Sequence, residues 1–149
     1  MLMKYAVGSD HGGLEMKQAL CDMLKQRGLE VEDFGTFSND SVDYPDFGAK
    51  VANAVSKGTV ERGILVCGTG IGMSIIANKF SGIRAALVHD EFTAQMSKEH
   101  NNANILVMGG RILTVAQGVK LAEIWLDTEF EGGRHQNRLL KIAAAEQAE

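Results

Sequence analysis

Short apolar runs alternate along the chain with longer stretches whose apolar residues recur at helical spacing. Residues 3–8 (MKYAVG) read as a first strand, and 14–27 set Leu14, Ala19, Leu20, Met23 and Leu24 on one helical face before Gly28. A second strand over 30–34 leads through the loop GTFSNDSVDYP into a helix over 46–57, closed by Gly58. The wholly apolar GILVC (63–67) runs into a glycine-rich turn and a helix to about residue 79. RAALVH (84–89) and NILVM (104–108) read as strands, followed by helices over 91–100 and 114–126. From Thr128 the tail TEFEGGRHQNRLLKIAAAEQAE carries a Gly-Gly break and a last helix with no strand after it.

Strands without polar alternation are buried on both faces, and strands separated by helices run parallel with right-handed crossovers. The pattern predicts an α/β fold: a three-layer α/β/α sandwich on a five-stranded parallel sheet, Rossmann-like or flavodoxin-like, with an extra C-terminal helix. One domain over 1–149 is expected, with 128–149 forming an arm and helix that pack on a partner subunit. Ligands of such sheets bind beyond the carboxyl ends of the strands. The segments falling there are Gly8-Ser9-Asp10-His11-Gly12-Gly13, Cys67-Gly68-Thr69-Gly70-Ile71-Gly72 and Gly109-Gly110-Arg111, with Asp43-Tyr44-Pro45 within reach of the same edge.

Composition narrows the partners. With 149 residues and a net charge of -4, the chain lacks the basic surface that nucleic acid or an anionic membrane favours. Its apolar runs fall short of the roughly 20 residues that span a bilayer, and the start turns glycine-rich too early for a signal-peptide core. A cytoplasmic chain with a small-molecule partner is expected. The two cysteines, Cys21 and Cys67, have no paired spacing, which suggests neither a disulfide framework nor a cysteine-rich zinc site.

Cys67 stands where a strand ends, glycines follow and a helix begins. A glycine-rich turn opening a helix presents backbone N–H groups to an anion. Gly68, Gly70 and Gly72 follow G-x-G-x-G spacing, with Met73 where a dinucleotide fingerprint has its third glycine. The Lys-Ser/Thr ending of a phosphate-binding P-loop is missing, and Met73 and Ser74 stand where a cysteine phosphatase needs its arginine. A thiol at a helix start is instead suited to act as nucleophile or base. With a carbonyl oxygen over the amides of 68–72, a base at Cys67 can take the proton from the neighbouring carbon while the amides stabilise the enediolate. Asp10, His11 and His100 can move oxygen-bound protons, and arginines can grip a phosphate. That constellation suits a sugar-phosphate isomerase. Plainer roles compete: Asp10 as a helix cap, His100 as a helix end, and Arg134 and Arg138 as a solvated helix face. Cys21 reads as core, and His89 and His135 as structural.

The segments GSDHGG, DYPDFG, GILVCGTGIGMSIIANK, RAALVHD, KEHNNANILVMGGR and EGGRHQNR, in order over nearly the whole chain, resemble the type B ribose-5-phosphate isomerases. The resemblance implies interconversion of ribose 5-phosphate and ribulose 5-phosphate through a cis-enediol, without metal or organic cofactor. It also implies active sites shared across a homodimer, or a dimer of dimers. Cys67 is then the base between C1 and C2, with Thr69 grouped beside it in the catalytic set and Gly68, Thr69, Gly70, Ile71 and Gly72 forming the anion hole. Asp10, His11 and Tyr44 hold sugar hydroxyls, His100 opens the furanose ring, and Asn101 binds beside it. Arg111, Arg134 and Arg138 contact the phosphate. One branch of the family places a glutamate base after the glycines; Met73 and Ser74 there align this chain with the cysteine branch. Galactose-6-phosphate isomerases divide the site between two different chains, whereas this chain carries the thiol, His100 and the arginines together. An allose-6-phosphate or galactose-6-phosphate isomerase is the alternative within the class, and a non-enzymatic sugar-phosphate sensor the alternative outside it.

Overall fold

A computed structural model describes residues 3–148; Met1, Leu2 and Glu149, the ends of the predicted 1–149 unit, lie outside the described residues. The chain runs β1 (Lys4–Ser9), a 3-10 turn (His11–Gly13), α1 (Leu14–Gln26), β2 (Glu30–Asp33), α2 (Tyr44–Ser56) and β3 (Arg62–Cys67). It continues through α3 (Ile71–Ala77), β4 (Ala85–Leu87), α4 (Glu91–Glu99), β5 (Ile105–Gly109), α5 (Val115–Asp127) and α6 (Arg134–Gln147). The five strands form one parallel sheet in the order β2-β1-β3-β5-β4. Compared with the flavodoxin-type order, the last two strands are exchanged. The exchange follows composition, because β5 is buried at every residue and sits inside, whereas Ala85–Leu87 is half-buried and takes the edge.

Alternate residues of each central strand feed the two faces. Tyr5, Val7, Ile64, Val66, Leu106 and Met108 pack with α1 and α5 residues such as Leu20, Leu121 and Trp125. Ala6, Leu65, Cys67, Ile105 and Val107 pack with α2 and α3 residues such as Val51, Ala52 and Met73. Helix limits have local causes. Gly28 and Gly58, at φ 80° and 77°, take the left-handed conformation that stops α1 and α2. Pro45 sits in the first turn of α2, where its missing N–H costs nothing, so the helix starts at Tyr44, ahead of the predicted 46. Thr114 and Gln117 form a reciprocal capping box at α5, as do Asp90 and Thr93 at α4.

In a parallel sheet every strand ends at one edge and every crossover helix returns to the other. Cys67 pairs with Gly109 at the carboxyl edge. α4 returns to the amino edge, where the Gly63 N–H donates to Asn104 O at 2.9 Å, and Asn104 bridges the Arg84 N–H and Gly82 O. α6 lies at this amino edge too, its Glu146 carboxylate accepting the Gly82 N–H at 3.0 Å. Between β4 and α6 is a largely apolar cavity of about 400 Å3, bordered by Leu87, Met96, Asn101, Leu139 and Ile142. No helix among the described residues is long and apolar enough to cross a membrane.

Candidate active site

The chain leaves β1 for β2 on one side and returns to β3 on the other, so the crevice between β1 and β3 is a switch point open to ligands. Three loops meet there through their backbones. Asp10 N–H donates to Val66 O at 3.2 Å, Gly110 N–H to Cys67 O at 2.8 Å, and Arg111 N–H to Gly68 O at 2.9 Å. Cys67 itself is 5% exposed and points to the α2–α3 face of the sheet. The Gly70 N–H donates to its sulfur at 3.2 Å. Gly70 has φ 82°, and a Cβ there would stand 2.5 Å from Leu87 and 3.0 Å from the Met108 backbone, so only glycine turns the chain under the thiol. The next amide, Ile71 N–H, is held by the Thr69 hydroxyl at 3.3 Å.

The remaining carboxyl-edge residues converge on this turn. Asp10 caps the 3-10 turn, its Oδ1 accepting the Gly12 N–H at 2.9 Å, and the cap sets its carboxylate at this edge. His11 Nδ1 accepts the Val42 N–H at 3.2 Å, which leaves Nε2 as the donor of the neutral ring. The Tyr44 ring lies against Gly72 so closely that a Cβ there would be 2.4 Å from it. Arg111 lies over Gly68. Asp33 closes the loop that carries Val42 to this edge: it pairs with buried Lys17 and accepts the Gly35 N–H.

The structure does not bring the other predicted residues here. His100 is the C-terminal cap of α4, at the amino edge. A strand of five to six residues is about 17–20 Å deep, and nine-residue α4 spans about 14 Å. Asn101 borders the cavity beside β4, and Arg134 and Arg138 are exposed on α6. The predicted residues therefore fall into two groups at opposite ends of the chain: Cys67, Gly68–Gly72, Asp10, His11, Tyr44 and Arg111 at one, and His100, Asn101, Arg134 and Arg138 at the other.

At the second end a residue read as structural from sequence has a direct role in the geometry. His135 is 3% exposed and stacks on His100, with ring centroids 4.1 Å apart and planes 15° from parallel. The available signal was spacing: Glu131, His135 and Leu139 recur every four residues, one stripe of a helix and its lead-in. His100, Glu131 and His135 also bring donor atoms within 4.8 Å of one another. A zinc-class ion needs lone pairs converging at roughly 2.0–2.1 Å, and stacked rings send theirs side by side, so the trio is not pre-arranged to hold one. Nearby, burial and then the like charge of Arg62 push the Lys98 ammonium down to about 8. It donates to Trp125 O at 2.9 Å. Burial pushes the Cys21 thiol up to about 11, in keeping with its core position.

Residues 5–142 match the model of the family described as Ribose/Galactose Isomerase. A relative named ribose-5-phosphate isomerase B from Escherichia coli is 44% identical over 146 residues, 98% of this chain and 98% of that protein. The structure of Clostridium thermocellum ribose-5-phosphate isomerase B superposes with a TM-score of 0.95 at 53% identity, covering 97% of this chain and 98% of that one. A Mycoplasma genitalium ribose-5-phosphate isomerase B with bound ribulose-5-phosphate superposes with a TM-score of 0.96 at 40% identity, covering 100% of this chain and 99% of that one.

Proposed function

The chain belongs to the ribose/galactose isomerase family, and we propose that it interconverts D-ribose 5-phosphate and D-ribulose 5-phosphate, with Cys67 as base, in active sites shared between two copies. The observation that carries this reading is the buried thiol at the switch point, set over a glycine turn in a chain alignable end to end with a ribulose-5-phosphate complex. With the open-chain aldose bound, Cys67 takes the proton from C2 and returns it to C1. Between those transfers the charge rests on the enediolate oxygens, where the Ile71 amide, released from Thr69, and its neighbours in 68–72 donate to it. Asp10, His11 and Tyr44 hold the sugar hydroxyls, and Arg111 reaches the phosphate from the Cys67 side.

The two half-sites explain why a second copy is needed. A homodimer that sets the carboxyl edge of one chain against the amino edge of another completes both sites at once, by symmetry. His100 then opens the furanose ring on the partner's substrate, Asn101 binds beside it, and Arg134 and Arg138 hold the phosphate. The exposed Leu140 and Ile142 on α6 supply apolar surface for that contact. Since phosphorylated sugars are cytoplasmic metabolites, we place the reaction there, in the non-oxidative pentose phosphate pathway. The test is turnover of ribose 5-phosphate by chelator-treated protein, with allose 6-phosphate in parallel. Pentose turnover lost in Cys67→Ala supports the reading; turnover of the hexose alone moves the substrate; silence on both favours a sensor.

A further inference from the structure

His135 is a buried polar side chain that the proposed chemistry leaves unused. It is 3% exposed, and its Nε2 has no hydrogen-bond partner among the described residues; the Glu131 carboxylate stands 3.5 Å away, outside hydrogen-bond geometry. Sequestering an imidazole nitrogen without a partner is unfavourable, so packing alone would select an apolar residue there. What the ring does offer is a flat face against His100, at a 4.1 Å centroid distance. His100 has little else to hold it. It ends a helix, its side chain is 37% exposed, and its Nε2 lies 3.9 Å from Glu99, too far for a hydrogen bond. The backbone under the stack is tied down, since the Glu131 N–H donates to Glu99 O at 2.9 Å and so joins the α6 lead-in to the end of α4.

We infer that His135 is a positioning residue for ring opening: its buried ring fixes the plane of His100 at the angle from which that imidazole addresses the ring oxygen of the partner subunit's substrate. The inference rests on the reading of His100 as the ring-opening group. Misplacing a catalytic group by about 1 Å costs on the order of 100-fold in rate, and losing the stack frees an exposed side chain to move at least that far.

The two sugars separate this role from a structural one. Ribose 5-phosphate is a furanose and must be opened. Ribulose 5-phosphate carries its phosphate on the one hydroxyl that could close a five-membered ring on the ketone, so it is always open-chain. Exchange of its C1 proton with solvent needs Cys67 and substrate binding, but no ring opening.

The experiment compares His135→Ala, His135→Phe and His100→Asn for two rates: conversion of ribose 5-phosphate, and deuterium uptake at C1 of ribulose 5-phosphate in D2O followed by NMR. For His135→Ala, conversion falls about 10- to 100-fold while deuterium uptake stays within about threefold. His135→Phe, which keeps a flat face, restores most of the conversion. If both rates of His135→Ala fall together, the residue only holds α6 in place and the inference is overturned. Unchanged conversion overturns it as well, as does a His135→Phe defect as deep as that of alanine, since the imidazole would then act chemically. His100→Asn judges the underlying reading separately: if it keeps full conversion, the ring-opening assignment itself falls; if it splits the two rates and His135→Ala does not, only the inference falls.

Discussion

A Cys67→Ala chain and a His100→Asn chain, each nearly inactive alone, should recover activity when combined in one dimer. The expectation follows from the separation of the two residues across the sheet, about 17–20 Å, which no side-chain rotation can close. In the proposed two-fold dimer each site takes its thiol from one subunit and its ring-opening imidazole from the other. In a mixed dimer one site receives both substitutions and the other receives neither. The mixed species should therefore carry half the wild-type activity per dimer, and random pairing of equal amounts about a quarter. Removing a general acid or base costs about 10²- to 10⁴-fold, so that quarter stands far above the background of either variant. Co-expression with two different affinity tags, sequential capture of the mixed species and an initial-rate assay on ribose 5-phosphate would measure it. Captured mixed dimers no more active than the mean of the two parents would refute the sharing of sites and require an arrangement in which His100 serves no catalytic role.

Two further substitutions separate site from scaffold. A Cβ at residue 72 would stand 2.4 Å from the Tyr44 ring, but that ring is 38% exposed and can swing outward. Gly72→Ala should therefore cost only about 1 kcal/mol of stability while raising KM for the sugar phosphate. A Cβ at residue 13 meets the Val66 side chain at 2.6 Å and its carbonyl oxygen at 2.9 Å, inside a central strand that cannot yield. Gly13→Ala should lose at least about 1–3 kcal/mol, and a urea midpoint equal to wild type would contradict the packing argument. Lys98 gives a pH-dependent stability. Its ammonium is held at about 8, below its ordinary value of 10.5, by burial and then Arg62. Below pH 8 folded and unfolded chains are both charged; between about 8 and 10.5 the unfolded chain binds more protons, so stability rises with pH. Urea midpoints of wild type should gain on those of Lys98→Met across that window, and a constant difference would count against it.

The alternation of strand and helix was legible because each unit carries its own punctuation: Gly28 and Gly58 stop helices, and GILVC and NILVM are apolar enough to be buried on both faces. Strand order was not, since it is decided by competition between segments. Ile105–Gly109 displaces Ala85–Leu87 from the sheet interior because it buries more apolar surface. The residues around Cys67 were readable because they directly follow strands. His100, Arg134 and Arg138 drew notice by residue type and resemblance, but each stands after or within a helix, and in an alternating parallel fold that places them at the other edge. His135 was missed because EGGRHQNR was read for its two arginines and the histidine between them was given no role; only the four-residue interval to Leu139 shows that it faces inward.

The proposed division of one site between opposite ends of the chain carries a genetic consequence. When the gene for such a protein is duplicated, one copy can lose its thiol and the other its ring-opening imidazole without any generation lacking a working centre, because the mixed pair keeps one intact site. Each loss is tolerated only while the other copy survives. Two identical subunits can in this way become two obligately different ones through single substitutions, and the scaffold that carries them need not change at all.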